Sequence, residues 1–162
     1  VGGGNDTVFA RANHTLKAGA EVEALVNGTL DTGLSLTGNA LPQSIQGSGG
    51  NDTLSAGGGG GVLFGGAGTD KLIGGLGADM FVFSLFSNSV PGALRDVIQG
   101  FNGAEGDRID ISGMDTNDLL PGDRHITIAW GRDFLDVSPL RGVTWGAGEQ
   151  WLQVEVDVSP AS

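Results

Sequence analysis

The chain has 162 residues, 31 of them glycine, and carries 19 Asp and Glu against 8 Lys and Arg, for a net charge of −11. That length bounds it to one domain, or a domain with a cap, and the acidic balance excludes a nucleic-acid partner, which needs a basic stripe, while suiting a protein that takes up divalent cations. There is no cysteine, so metal sites rather than disulfides are the available staples, and no run of about 18 apolar residues exists to span a membrane as a helix.

Residues 1–9, VGGGNDTVF, place three glycines before Asp6 and an apolar Val8. Gly2, Gly4 and Asp6 are candidate cation ligands, provided the following segment offers partners. Val1 stands where a glycine stands in the repeats below, so the sequence is expected to begin inside a repeat of a longer protein. It shows no N-terminal signal pattern, and any signal is expected outside it. Residues 10–37 lose the glycine code but keep short apolar positions at Leu16, Val22, Leu25, Val26, Leu30, Leu34 and Leu36. They read as short strands that continue a coil without metal. His14 is a lone histidine in a polar stretch and reads as surface.

Residues 38–82 divide into five frames of nine: 38–46, 47–55, 56–64, 65–73 and 74–82. GGAGTDKLI and GGLGADMFV fit G-G-x-G-x-D-x-U-x at every fixed position, U being a large apolar residue. GSGGNDTLS departs only at Ser48, AGGGGGVLF has Gly61 where the aspartate belongs, and GNALPQSIQ keeps little beyond Gly38 and Ile45. A fixed period dictates a repeat architecture. One apolar residue per frame (Ile45, Leu54, Leu63, Leu72, Phe81) implies a very short strand with one inward side chain. The glycines before it imply a turn whose backbone presents carbonyls on one side. Two strands and two turns make one coil, so a coil takes two frames, or 18 residues, and turns on one edge stack about 4.8 Å apart. Leu36 and Ile45 already hold this spacing. A flexible linker would not keep Asp and an apolar residue in phase. Collagen needs glycine every third residue, and a phosphate loop needs a Lys that does not follow these glycines.

Stacking sets Asp52 beside Asp70, two carboxylates that repel unless a cation lies between them. Calcium takes six to eight oxygens from carboxylates and carbonyls at roughly 2.3–2.6 Å, whereas magnesium demands a tighter octahedron and zinc prefers nitrogen or sulfur. The repeats therefore read as calcium-bound.

GGAGTDKLI and GGLGADMFV resemble the RTX (hemolysin-type) nonapeptide, a calcium-binding repeat that folds as a right-handed parallel β-roll. The resemblance implies that one loop supplies motif positions 2, 4 and 6 and the loop two frames on supplies positions 1, 3 and 6. One intact site would then use Ser48, Gly50 and Asp52 with Gly65, Ala67 and Asp70, the residues other than Asp acting through carbonyls. The opposite edge would use Gly57 and Gly59 with Gly74, Leu76 and Asp79. That site lacks a carboxylate at Gly61 and is expected to be weak or empty, and Gly61→Asp is expected to strengthen it.

Residues 83–162 thin in glycine and hold Trp130, Trp145 and Trp151. Strand-like runs occur at 80–83, 97–98, 108–111, 126–130 and 151–158, with a turn at 118–122. This β-rich segment is the expected C-terminal cap, since an open coil end leaves unpaired backbone. The organisation read is an N-terminal turn with metal-free strands (1–37), calcium-binding repeats (38–82) and a cap (83–162), all-β throughout. RDVIQGFNGAEGDRIDISGM resembles the stretch that follows RTX repeats in the C-terminal domains of serralysin-type metalloproteases and in R-modules of mannuronan C-5-epimerases. Through that resemblance Asp96 matches a position that binds an additional calcium. Asp107 and Asp110 match further acids, which serve equally as solvated turn residues.

No HExxH, no G-x-S-x-G and no cysteine nucleophile is present. His125 has no triad-like surroundings, and Glu149 and Glu155 read as outward acids rather than a glycosidase pair. The chain is expected to be non-catalytic, whatever its parent protein does. The family resemblance implies a secreted, extracellular module of a Gram-negative bacterium, exported by a type I secretion apparatus and folding on calcium outside. The alternative is a polysaccharide-binding or adhesion module. Arg95, Arg108, Arg124, Arg132 and Arg141 would offer it a positive face, unless they pair with nearby Asp residues.

Overall fold

The structure, a computed structural model, describes residues 3–84, 88, 94–111, 125–130 and 151–157, the last two ranges as strands only. The strands are β1 (Thr7–Ala10), β2 (His14–Thr15), β3 (Ala24–Asn27), β4 (Ser35–Thr37), β5 (Gln43–Gln46), β6 (Thr53–Gly57), β7 (Gly61–Phe64), β8 (Lys71–Gly75), β9 (Met80–Val82), β10 (Asp96–Gln99), β11 (Arg108–Asp110), β12 (His125–Trp130) and β13 (Trp151–Asp157). Among the described residues there is no α-helix, and so none long and apolar enough to cross a membrane.

Through β11, odd and even strands separate into two parallel sheets, and β12 and β13 both join the even one. One runs β1-β3-β5-β7-β9-β11 and the other β12-β13-β10-β8-β6-β4-β2. Through β11 the chain therefore crosses from sheet to sheet after each strand and returns one strand further on, a β-solenoid of about 18 residues per coil. The expected stacking of frame 47–55 on 65–73 and of 56–64 on 74–82 is found: Leu54 pairs with Leu72, and Leu63 with Phe81.

Through β11 each strand is too short to carry more than one or two inward side chains, so the core there is two columns. One is Val8, Leu25, Ile45, Leu63, Phe81 and Ile109 in successive register. The other is Leu36, Leu54, Leu72 and Ile98. Leu25, Leu36, Ile45, Leu54, Leu63, Leu72, Phe81 and Ile98 are all 0% exposed, and each contributes about 1.5–3 kcal/mol by leaving water. The apolar residues of 10–37 do continue the coil, with one exception. Leu30, in the turn between β3 and β4, is 84% exposed.

The coil continues past residue 82. β10 pairs with β8 and β11 with β9, after intervals of 26 and 28 residues rather than 18. Most of the extra residues enter between β9 and β10 and the rest between β10 and β11, and both sheets stay in register. β13 then adds to β10, and β12 to β13. Gly2, the proposed turn at 118–122, Trp145, Glu149, Val158 and the arginines at 124, 132 and 141 lie outside the described residues.

Candidate metal centre

The residue at the start of each strand, or immediately before it, forms a column along each edge of the coil. On one edge the register sets Leu34, Asp52, Asp70 and Asp96 in line. On the other it sets Asp6, Glu23, Gln43, Gly61, Asp79 and Asp107 in line. The acids were expected to stack at Asp52 and Asp70, and they do, on one edge.

The carboxylates of Asp52, Asp70, Asp79, Asp96 and Asp107 each tie two coils together. Asp70 Oδ1 accepts the Asp52 N–H at 2.8 Å, and Asp96 Oδ1 accepts the Asp70 N–H at 2.8 Å. Asp52 Oδ1 accepts the Leu34 N–H at 2.7 Å, while its Oδ2 accepts the Ser48 N–H of its own turn at 3.1 Å. Across the molecule, Asp79 accepts from Gly61 N–H at 2.7 Å and from Gly75 N–H at 2.8 Å. Asp107 accepts from Asp79 N–H at 2.8 Å and from Asn102 N–H at 2.7 Å. These bonds satisfy turn donors that no strand reaches.

Asp70 departs from the pattern. Its side chain is 1% exposed, and its Oδ2 has no hydrogen-bond partner. Burial pushes its carboxyl up to about 7, opposed by the Asp52 N–H bond and reinforced by the Asp52 charge. Burial likewise raises Asp96 to about 8, with the Asp70 charge adding. Asp79 is also raised, by burial first and then by Asp107 and Glu105, against its two backbone bonds. A buried anionic oxygen with no donor, beside a second carboxylate, is stable only if protonated or neutralised by a cation.

The donor set fits a hard cation, being oxygen only. Gly66 and Gly68, at φ 102° and 134°, turn the loop in a way other residues resist. Among the described residues no three of His, Cys, Asp or Glu converge, so an ion here would complete its shell with carbonyls. Ser48 O accepts the Ala67 N–H at 2.8 Å, and Leu76 O accepts the Gly60 N–H at 3.1 Å. Each of these expected ligands thus has one lone pair engaged and one remaining.

The other expected ligands fall as follows. Gly50, Gly65 and Ala67 lie in the stacked turns of Asp52 and Asp70, with Asp96 next in the same column. Gly57, Gly59, Gly74, Leu76 and Asp79 lie together on the opposite edge, Gly57 against Gly75. Gly4 and Asp6 stand at the first coil, where Asp6 is exposed and its N–H donates to Glu23 Oε2 at 2.7 Å.

The edge expected to be weak lacks room for a carboxylate as well as the carboxylate itself. In the intact frames the first residue is glycine, and a Cβ on Gly47 or Gly65 would overlap the carboxylate of Asp52 or Asp70. In frame 56–64 the first residue is Ala56, 1% exposed, and its methyl fills that space. Sequence reading missed this exchange, and with it Glu23, Gln43 and Asp107 as members of the columns. For Asp107 the signal was present in GAEGDRID, but the 28-residue interval hid its register with Asp79.

The family model for the peptidase M10 serralysin C terminal matches residues 47–134. No curated protein matches the sequence with significance.

Proposed function

Because the chain belongs to the peptidase M10 serralysin C-terminal family, a non-catalytic module of secreted proteins, we propose that it is a calcium-binding β-roll that folds on the ion and stabilises a larger exported protein. The observation that carries the reading is Asp70 Oδ2, buried with no hydrogen-bond donor one coil from Asp52. Asp52 and Asp70 would hold the ion with carbonyls of Ser48, Gly50, Gly65 and Ala67. Gly57, Gly59, Gly74, Leu76 and Asp79 would form a poorer site opposite. Asp96 would extend the first column.

Bound calcium supplies positive charge where the turns present only oxygen. The chain's own part is to position those oxygens and keep water away. Extracellular calcium modules bind at about 10⁻⁴–10⁻³ M, and tenfold excess ligand adds only about 1.4 kcal/mol per site. Such a site is empty in a low-calcium cytosol and filled outside, which suits export of an unfolded chain by a type I apparatus. Calorimetric titration of the chain with Ca²⁺ and with Mg²⁺, alongside circular dichroism in chelator, tests this. The expected result is calcium-selective binding with a gain of β signal. No heat with calcium and a spectrum indifferent to chelator would overturn it.

A further inference from the structure

Asn27 closes β3 at the register position that Gly47 and Gly65 hold in the following coils of the same sheet-to-sheet turn. Its side chain is 5% exposed. Nδ2 donates to Thr32 O at 2.9 Å and to Asp52 Oδ1 at 2.9 Å. Oδ1 accepts the Thr29 N–H at 2.8 Å and the Thr29 hydroxyl at 2.6 Å. This network sets the amide's orientation, since the flipped form would turn its oxygen on the Asp52 carboxylate and its NH₂ on the Thr29 N–H.

The coil that contains Asn27 has Leu34 in the carboxylate column. Its one turn acid, Asp31, is exposed beside Gly49 rather than in that column, so a divalent cation in the column between this turn and the Asp52 turn would meet turn carbonyls and one column carboxylate only. The amide meets the same need with partial positive charge. It joins a main-chain carbonyl of one turn to a carboxylate of the next, the two oxygen types that a cation would bridge.

We propose that Asn27 is a built-in substitute for a cation, which ends the ion column at Asp52 and lets the N-terminal coils order without metal. The proposal rests on the calcium reading for the coils that follow. The opposite edge carries a related amide that bridges to carbonyls only: Asn39 Nδ2 donates to Lys17 O and Ala20 O, both at 2.9 Å, while its Oδ1 accepts from Leu41 N–H and Gln43 Nε2. The first coils are thus tied by neutral amides, and the later turns stack on them.

Asn27→Asp keeps the shape and both bonds from Thr29 and exchanges the donor for an anionic oxygen beside Asp52. Asn27→Leu removes donor and acceptor together. In chelator both variants of the full chain should melt roughly 3–10 °C below wild type. Millimolar calcium should restore Asn27→Asp and add one ion to its calorimetric stoichiometry, because the new carboxylate completes a site, and should not restore Asn27→Leu. Hydrogen exchange at the Leu34 amide in saturating calcium reads the same contact while the chains are folded. It should quicken in Asn27→Leu and stay slow in Asn27→Asp. An Asn27→Leu chain that matches wild type in both measurements, or an Asn27→Asp deficit that calcium leaves untouched, would overturn the proposal. A wild-type chain that binds no calcium would sink the calcium reading alone, and the Asn27→Leu deficit in chelator would still decide the amide bridge.

Discussion

A Cβ added to Gly61 would lie 2.9 Å from the methyl carbon of Ala56. The two residues open and close one turn, and the space between them holds either a side chain from the first position or a carboxylate from the sixth. Gly47 with Asp52 and Gly65 with Asp70 make one choice, and Ala56 with Gly61 makes the other.

Gly61→Asp alone should therefore destabilise the chain, by about 1–3 kcal/mol as overpacking does, and gain no calcium. This revises the expectation drawn from the motif. Ala56→Gly together with Gly61→Asp should recover the stability in calcium and raise the measured stoichiometry. Titration calorimetry on both variants checks it, and a single replacement that binds as well as the pair would refute the shared space.

Asp70→Asn separates the two roles of the carboxyl group. The amide oxygen can still accept the Asp52 N–H, while the buried charge is gone. In chelator the variant should melt no lower than wild type, and its calcium affinity should fall at least about tenfold, since ligand charge sets affinity at such sites. Asp70→Ala also loses the inter-coil bond and should be less stable in both conditions, as thermal melts would show.

Acid should partly replace calcium. The carboxyls of Asp70 and Asp96 titrate near about 7 and about 8 when folded, against 3.8 for the ordinary group. Between these limits the folded chain binds more protons than the unfolded one, so stability falls as pH rises. Without metal, the melting temperature should decline from about pH 4 to about pH 8 and level off above. In saturating calcium the trend should reverse, because protons compete with the ion for the same oxygens. Melts in chelator that rise with pH would contradict the buried-carboxyl account.

Leu54 sits between Leu36 and Leu72 in a fully buried column, and Leu54→Ala should cost about 2–5 kcal/mol. Leu30→Ser, in an exposed turn, should stay within about 0.5 kcal/mol. Denaturant titration in saturating calcium would measure both, and a similar cost at the two sites would argue against the core described.

The period, the inward apolar residue and the aspartate before each strand were all legible in residues 38–82, because each repeats at fixed distance and acts through its own frame. From these alone follow the two-strand coil, the pairing of Leu54 with Leu72 and the meeting of Asp52 with Asp70. What only the tertiary structure decided is who faces whom once the spacing changes. Asp79 meets Asp107 and Asp6 meets Glu23 across intervals of 28 and 17 residues, and Asn27 reaches Asp52 from a turn without the motif. Parallel strand pairing fixes register along the strands but not the length of chain between them. Residues added or lost in a turn leave the sheets unchanged and move its chemistry out of phase with the sequence.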